Sequence, residues 1–170
     1  MKHINDIRFD EVTIRELDLV FSVLEQAPEY FKKVEGTIVT KEVAQREIES
    51  KPSKLNAKYE KKFLVVYGAE KPIGVIELHL NHPNESTAYI GLLLLIEEIQ
   101  SQGMGRMIYE KLESICKEKF NINKIALGVS DDNDVSVFWQ KMGFSFNGFT
   151  YIWKGLKKDT KVQEMEKNLN

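Results

Sequence analysis

Two glycines one residue apart, Gly103 and Gly105, stand where the apolar stretch Leu92-Leu93-Leu94-Leu95-Ile96 gives way, after Glu97-Glu98-Ile99-Gln100-Ser101-Gln102, to a segment of helical periodicity. A junction of that kind is suited to holding an anion. The first amides of a helix have no intrahelical acceptors, and the aligned peptide dipoles leave partial positive charge at that end. Glycine adds access, because no Cβ keeps a diphosphate away from the main chain. Other phosphate-binding patterns fail. A dinucleotide fingerprint needs Gly or Ala where Ile108 stands, and a P-loop needs Gly-Lys followed by Ser or Thr. Glycines after a strand also make plain turns, so the neighbouring elements decide between the two readings.

A second group of reactive side chains lies upstream. In residues 73–80, strand alternation puts Val75, Glu77 and His79 on one face, opposite Ile76, Leu78 and Leu80. A carboxylate and an imidazole two residues apart can pass a proton outward through water. The alternative is a half-solvated strand face on which both are only polar surface. The single cysteine, Cys116, falls at helical spacing with Ile108, Leu112 and Ile115, where a small buried thiol is expected rather than a nucleophile.

These groups need elements to position them. Residues 7–12 suggest a first strand, and Thr13 stands three residues ahead of Glu16, the spacing of a capping box. Leu17, Val20, Phe21 and Leu24 then recur at helical intervals, predicting a helix over 14–26 that Ala27-Pro28 stops. Residues 29–39 carry Tyr30 and Phe31 but no sustained period. Thr40 suits the N-cap of a helix running to about Ser50, and residues 51–62 read as a solvated loop. Residues 63–67 and 73–80 are β-rich, with Ala69-Glu70-Lys71-Pro72 able to turn a hairpin between them. Residues 81–85 form a second turn region. In residues 87–95 the apolar side chains hardly alternate, as in a strand covered on both faces.

After Gly103, Ile108, Leu112 and Ile115 share one helical face, with Lys117 and Lys119 near the negative pole. Residues 124–129 follow as a strand and 135–142 as a helix stopped by Gly143 as a left-handed C-cap. Residues 144–156 supply one or two closing strands. Residues 158–170 read as a polar tail that frays. The whole of 1–170 is expected to form one domain.

Composition excludes several classes. A net charge of −2 lacks the clustered basic footprint of nucleic-acid binding, so no nucleic-acid partner is expected. The longest apolar run, residues 90–96, is far short of the roughly 20 residues that span a bilayer, so no membrane partner is expected. The start, Met1-Lys2-His3-Ile4-Asn5-Asp6, has no apolar signal region, and a lone cysteine suits a reducing compartment. A cytoplasmic protein is expected.

The segment Gln100-x-x-Gly103-x-Gly105 resembles the Arg/Gln-x-x-Gly-x-Gly/Ala signature of the GNAT superfamily of N-acetyltransferases. A second stretch, Asp132-x-x-Val135-x-x-Phe138-Trp139-Gln140-Lys141-Met142-Gly143-Phe144, is similar to that family's Asn-x-x-Ala-x-x-Phe-Tyr-x-Lys-x-Gly-Phe. The two occur in the right order, and the element order agrees from residue 7 to about 156. The resemblance implies a mixed α+β fold whose mostly antiparallel, twisted central sheet is opened by a bulge at the cofactor strand and flanked by helices. It implies acetyl-CoA as acyl donor, with no metal. Gln100 belongs to the pyrophosphate-binding turn, where the main-chain amides of Ser101, Gln102, Gly103, Met104, Gly105 and Arg106 would hold the diphosphate. Peptide groups of about Leu93 and Leu95 would pair with the pantetheine arm, and Asp132 and Trp139 occupy positions that touch the cofactor in the family.

Two departures bear on the chemistry. Asp132 replaces Asn and offers no amide donor. Trp139 replaces the Tyr that protonates the departing thiolate in many members, and an indole N–H is not a usable acid near neutral pH. The implied reaction is direct attack of a primary amine on the thioester, for which Glu77, His79 and Tyr89 are the candidate catalytic residues. Tyr89 would orient the amine or donate to the thiolate rather than act as a base. Tyr30 and Phe31 lie where the family commonly walls the acceptor pocket. The implied partner is an amine-bearing small molecule, peptide or protein, with a homodimer also compatible. The alternative function is a noncatalytic acyl-CoA-binding or regulatory module that kept the turn and lost the acid.

Overall fold

The computed structural model describes residues 6–170. Strand β1 (Ile7–Glu11) runs into the expected capping box: the Thr13 hydroxyl accepts from the Arg15 amide, and the Glu16 carboxylate accepts from the Thr13 amide at 2.7 Å. The helix it starts is shorter than 14–26. One turn of 3-10 helix at Ile14–Glu16 precedes α1 (Leu17–Leu24). Pro28 opens a further helix, α2 (Pro28–Glu35), at a position where its missing N–H costs nothing. Tyr30, Phe31 and Val34 stand among four charged residues, too sparse a stripe to show a period, so this helix is illegible in residues 29–39. Helix α3 (Lys41–Glu49) starts at Thr40, whose hydroxyl accepts from the Val43 amide at 3.2 Å.

A meander follows. Strands β2 (Glu60–Gly68), β3 (Lys71–Leu80) and β4 (Thr87–Leu95) pair antiparallel in succession, with β1 on the outer edge of β2. Helix α4 (Met104–Lys119) then carries the chain to β5 (Lys124–Ser130), which lies parallel to β4. Helix α5 (Ser136–Lys141) precedes β6 (Ser145–Lys154) and β7 (Asp159–Asn168). Among the described residues seven strands stand in the order β1-β2-β3-β4-β5-β7-β6, and the β4–β5 pair alone is parallel. The mixed α+β architecture with a mostly antiparallel sheet is therefore as the resemblance implies.

Residues 158–170 do not fray. They form β7, inserted between β5 and β6, with Leu127 opposite Met165 on one side and Tyr151 opposite Val162 on the other. Thr160, Val162, Met165 and Leu169 are buried. Four buried side chains scattered among Lys, Glu and Gln give weak alternation, which is why the segment reads as a tail.

Helices cover both faces of the sheet. Lys61 of β2 reaches α3, its Nζ 2.8 Å from the Glu47 carbonyl. On the opposite face Lys111 of α4 lies over the Phe9 ring, and Lys167 of β7 pairs with Glu113 of α4 at 2.8 Å. Cys116 is fully buried on α4, where burial and nearby Glu113 push its thiol up to about 12. It is a core residue, as its spacing indicates.

The β4 strand is the irregular one. Glu77 stands opposite Leu92 and Leu78 opposite Ile90, so Gly91 is an extra residue, a β-bulge. On its other side β4 pairs with β5 only from Thr87↔Lys124 to Ile90↔Leu127. Among the described residues, 91–95 have no ladder partner on that side, and the sheet opens there.

If β7 is integral to the core, Met165→Ala will cost about 2–5 kcal/mol in urea unfolding, as for other large-to-small core changes. A loss below about 1 kcal/mol would place β7 at the periphery.

Candidate active site

The gap between β4 and β5 widens into a cleft of about 1190 Å³, bounded at one end by the start of α4 and at the other by α2, α3 and β6. This exceeds the usual volume of a small-molecule pocket and leaves room for an extended ligand. The two glycines at its first end play different parts. Gly103, the N-cap of α4, has φ +81°, and a Cβ built there would meet nothing within 4 Å. Glycine is required by the left-handed backbone, and the space above it is open. A Cβ on Gly105 would instead touch the Phe138 ring at 3.4 Å, an ordinary contact, so packing of α4 on α5 does not demand glycine there.

Side chains brace the turn. Gln100 Nε2 donates to the Leu95 carbonyl at 2.7 Å, and Gln102 Nε2 to the Glu98 carbonyl at 2.9 Å. Met104 is buried in the core, whereas Ser101 and Arg106 border the cleft. Leu93 and Leu95 line it along β4, but the Leu95 carbonyl is already engaged by Gln100. Trp139 also borders the cleft, held edge-on by Tyr109, Phe138 and Phe144 with ring centroids 5.4, 4.9 and 5.2 Å away. Asp132 does not join them. Its carboxylate accepts from Thr160 Oγ1 at 2.5 Å and pairs with Lys158 at 3.2 Å, and these partners hold it below the usual carboxylate range.

At the other end Glu77 and His79 are buried, which removes the reading of a half-solvated strand face. Glu77 Oε1 lies 3.1 Å from His79 Nε2, while Oε2 accepts from Lys61 Nζ at 2.9 Å and Ser50 Oγ at 3.2 Å. Burial opposes the charged form, but His79 and Lys61 outweigh it and hold the Glu77 carboxyl below its ordinary value. His79 Nδ1 in turn lies 2.7 Å from the Tyr59 hydroxyl. Gly91 makes room for this pair: a Cβ there would come 2.0 Å from Glu77 Oε1 and 3.1 Å from His79 Nε2.

Tyr89 is paired too. Its hydroxyl lies 2.9 Å from that of Tyr151 on β6, in space left by Gly128, whose added Cβ would fall 2.7 Å from the Tyr151 oxygen. Burial raises both phenols above their usual range, so both stay protonated at neutral pH. Of the two aromatic neighbours on α2, Tyr30 lines the cleft and Phe31 is fully buried.

Four residues that line the cleft lie outside the sequence-based candidates: Gly91, Tyr151, Glu47 and Glu35. Glu35, at the end of α2, is buried, with Oε1 taken by Arg46 at 2.6 Å and by Trp153 Nε1 at 3.1 Å, and Oε2 by the Leu156 amide at 3.0 Å. Glu47 of α3 faces the same cleft beside Arg46, 3.2 Å away. A glycine inside the apolar run 90–96 is the one hint of a bulge. Nothing local marks the others, because they meet only across elements.

The sequence model of the acetyltransferase (GNAT) family matches residues 24–144. No curated protein matches by sequence. Among solved structures, an acetyltransferase from Thermus thermophilus superposes with a TM-score of 0.77 at 20% identity, covering 98% of this chain and 99% of the other. A spermidine N-acetyltransferase from Vibrio cholerae in complex with CoA and spermine gives 0.68 at 17% identity, covering 95% of each chain. The PaiA N-acetyltransferase from Thermoplasma acidophilum in complex with coenzyme A gives 0.63 at 22% identity, covering 96% of this chain and 99% of the other. At these identities the likeness establishes a shared fold.

The role of Gly91 is open to a direct check. Gly91→Ala will keep the fold but push Glu77 off His79, seen as a changed His79 ring signal by NMR and a loss of about 1.5–3 kcal/mol for the charge-assisted contact. An unchanged imidazole signal would show that the bulge has another purpose.

Proposed function

The chain belongs to the acetyltransferase (GNAT) family, and on that premise we propose that it is a single-domain cytoplasmic enzyme that transfers an acetyl group from acetyl-CoA to a primary amine by direct attack on the thioester. The observation that carries this reading is the bulge at Gly91, which opens β4 from β5 beside a helix N-terminus and brings a protonated phenol pair and buried acids to one cleft. The open space above Gly103 fits a diphosphate. The main-chain amides of residues 101–106 are the groups we assign to it, at the positive pole of α4. Leu93 borders the unpaired edge of β4, where free peptide groups suit the amides of a pantetheine arm. Acetyl-CoA itself supplies an activated carbonyl and a thiol leaving group.

The remaining roles follow from the side chains present. Tyr89 and Tyr151 keep their protons at neutral pH and so cannot serve as bases; the burial that keeps them protonated also makes them weaker acids, so they donate to sulfur only as its charge develops. We assign them to the departing thiolate, the task that Trp139, locked in its aromatic cluster, cannot perform. This answers the observation favouring a noncatalytic module, the loss of Tyr at 139. Glu77 and His79, the expected proton acceptors, form a fully partnered pair, and we assign them to ordering the acceptor end. Tyr30, Phe149 and Trp153 wall that end. An amine acceptor is supported by the fold shared with a spermidine N-acetyltransferase, whether small molecule, peptide or protein. No helix among the described residues is long and apolar enough to cross a membrane.

Two measurements test the proposal. Purified protein will release free CoA from acetyl-CoA only when an amine is added, and calorimetry will show CoA binding far above dephosphorylated pantetheine. Equal binding of the two ligands would remove the anion site, and tight binding without turnover over a broad amine panel would favour the noncatalytic module. Tyr89→Phe will lower turnover by up to about 10²–10⁴-fold, the worth of one general acid, with little change in acetyl-CoA affinity. Full retained turnover across the pH profile would leave Tyr89 as a packing residue.

A further inference from the structure

Among the carboxylates that line the cleft, Glu35, Glu47 and Glu77 gather around Arg46 and Lys61, and they are not equivalent. Both oxygens of Glu77 are taken, by His79 on one side and by Lys61 and Ser50 on the other. Both oxygens of Glu35 are taken, by Arg46, Trp153 and the Leu156 amide. Glu47 shares Arg46 through Oε1 alone, and its Oε2 makes no hydrogen bond or ion pair among the described residues. Its side chain is 13% exposed, toward the cleft it lines. A carboxylate so enclosed is costly unless something completes its bonding.

We infer that Glu47 is the group that takes the proton from the acceptor's ammonium, a catalytic residue of the transfer proposed above, on which this inference rests. Glu47 Oε2 removes one proton from R–NH3⁺ and frees the nitrogen lone pair. That lone pair forms the N–C bond to the acetyl carbonyl, the C–S bond breaks, and its electrons leave with sulfur. The thiolate takes a proton from the Tyr89–Tyr151 pair, which recovers one from the acetylated nitrogen, and the proton on Glu47 passes to solvent. The sum is one amide, one thiol and one released proton.

The surroundings suit that task. Burial pushes the Glu47 carboxyl up to about 7, the Glu77 charge adds to this, Arg46 on the same helix opposes it, and Glu35 from α2 adds again. The Tyr30 hydroxyl from α2 lies in the same field, and Lys61 from β2 is committed to the Glu47 main-chain carbonyl and to Glu77. A base near neutrality is the most effective at working pH. Ionised Glu47 is the active form, so activity toward an alkylammonium falls as pH drops through about 7.

The decisive comparison sets Glu47→Gln against wild type with two acceptors, an alkylamine that is cationic at pH 7 and a hydrazide or arylamine that is already neutral there. With the alkylamine, wild-type kcat/KM will be bell-shaped in pH, and Glu47→Gln will lose about 10²–10⁴-fold at pH 7 and rise with pH toward the amine's own pKa. With the neutral acceptor, which needs no deprotonation before attack, the variant will lose less than about tenfold, because only the dedicated base is missing. Acetyl-CoA affinity will be unchanged. Should Glu47→Gln fail to fold by circular dichroism, Glu47→Asp keeps the test, since it will retain the acid limb while losing rate only with the cationic acceptor. Equal losses with both acceptors, or an unaltered alkylamine profile, would overturn Glu47 as the base while leaving the acetyltransferase reading intact. Absence of amine-dependent CoA release from wild type would instead overturn that reading and this inference together.

Discussion

A strand carrying one residue more than its partner must bend away from its next neighbour, and at Gly91 this bend decides where the site lies. Strand β4 stays paired with β3 on both sides of the bulge, its register shifted by one residue, while the ladder to β5 ends at Ile90. Main-chain groups left without a partner seek one, and here they border a cleft that starts at the N-terminus of α4. The residue at the bulge must also be small, because the Glu77 carboxylate occupies the space where a Cβ would stand. A single glycine thus opens the sheet and admits a buried ion pair beside the opening.

Buried charge organises the other end of the cleft. Removing carboxylates from water is tolerated only when charged or hydrogen-bonding partners replace it. Glu77 is satisfied from β2, β3 and Ser50 just past the end of α3, and Glu35 from α3, β6 and the turn after β6. These bonds tie the helices to the sheet and to the last hairpin at this end of the cleft. The Lys157 amide also donates to the Glu35 carbonyl at 3.1 Å, and a Cβ on Gly155 would fall 3.0 Å from Glu35 Oε2. Among the described residues Glu47 keeps one oxygen without a partner beside the saturated Glu35 and Glu77, and the inferred base rests on that difference.

The placement of β7 has a similar consequence. By lying between β5 and β6 it carries β6 outward, so that Tyr151 comes over Gly128 to meet Tyr89. Val162 and Glu164 of β7 also line the cleft. The last strand in sequence is therefore part of the wall, and the phenol pair depends on it.

Local chemistry was legible in the sequence wherever neighbours along the chain decide the outcome. The capping box at Thr13 and Glu16, the hairpin of β2 and β3, the turn at Gly103, the C-cap at Gly143 and the buried setting of Cys116 are all fixed by residues within a few positions of one another. The family motifs were legible for the same reason, since each is one turn or one helix. The tertiary structure alone decided that residues 158–170 form an interior strand, that Asp132 turns to Thr160 and Lys158, and that Glu77 and His79 are buried. It alone paired Tyr89 with Tyr151, 62 residues away, and set Glu35 and Glu47 around Arg46. The proton affinity of a carboxylate or phenol depends on which partners other elements bring near it, and no spacing along one segment encodes that.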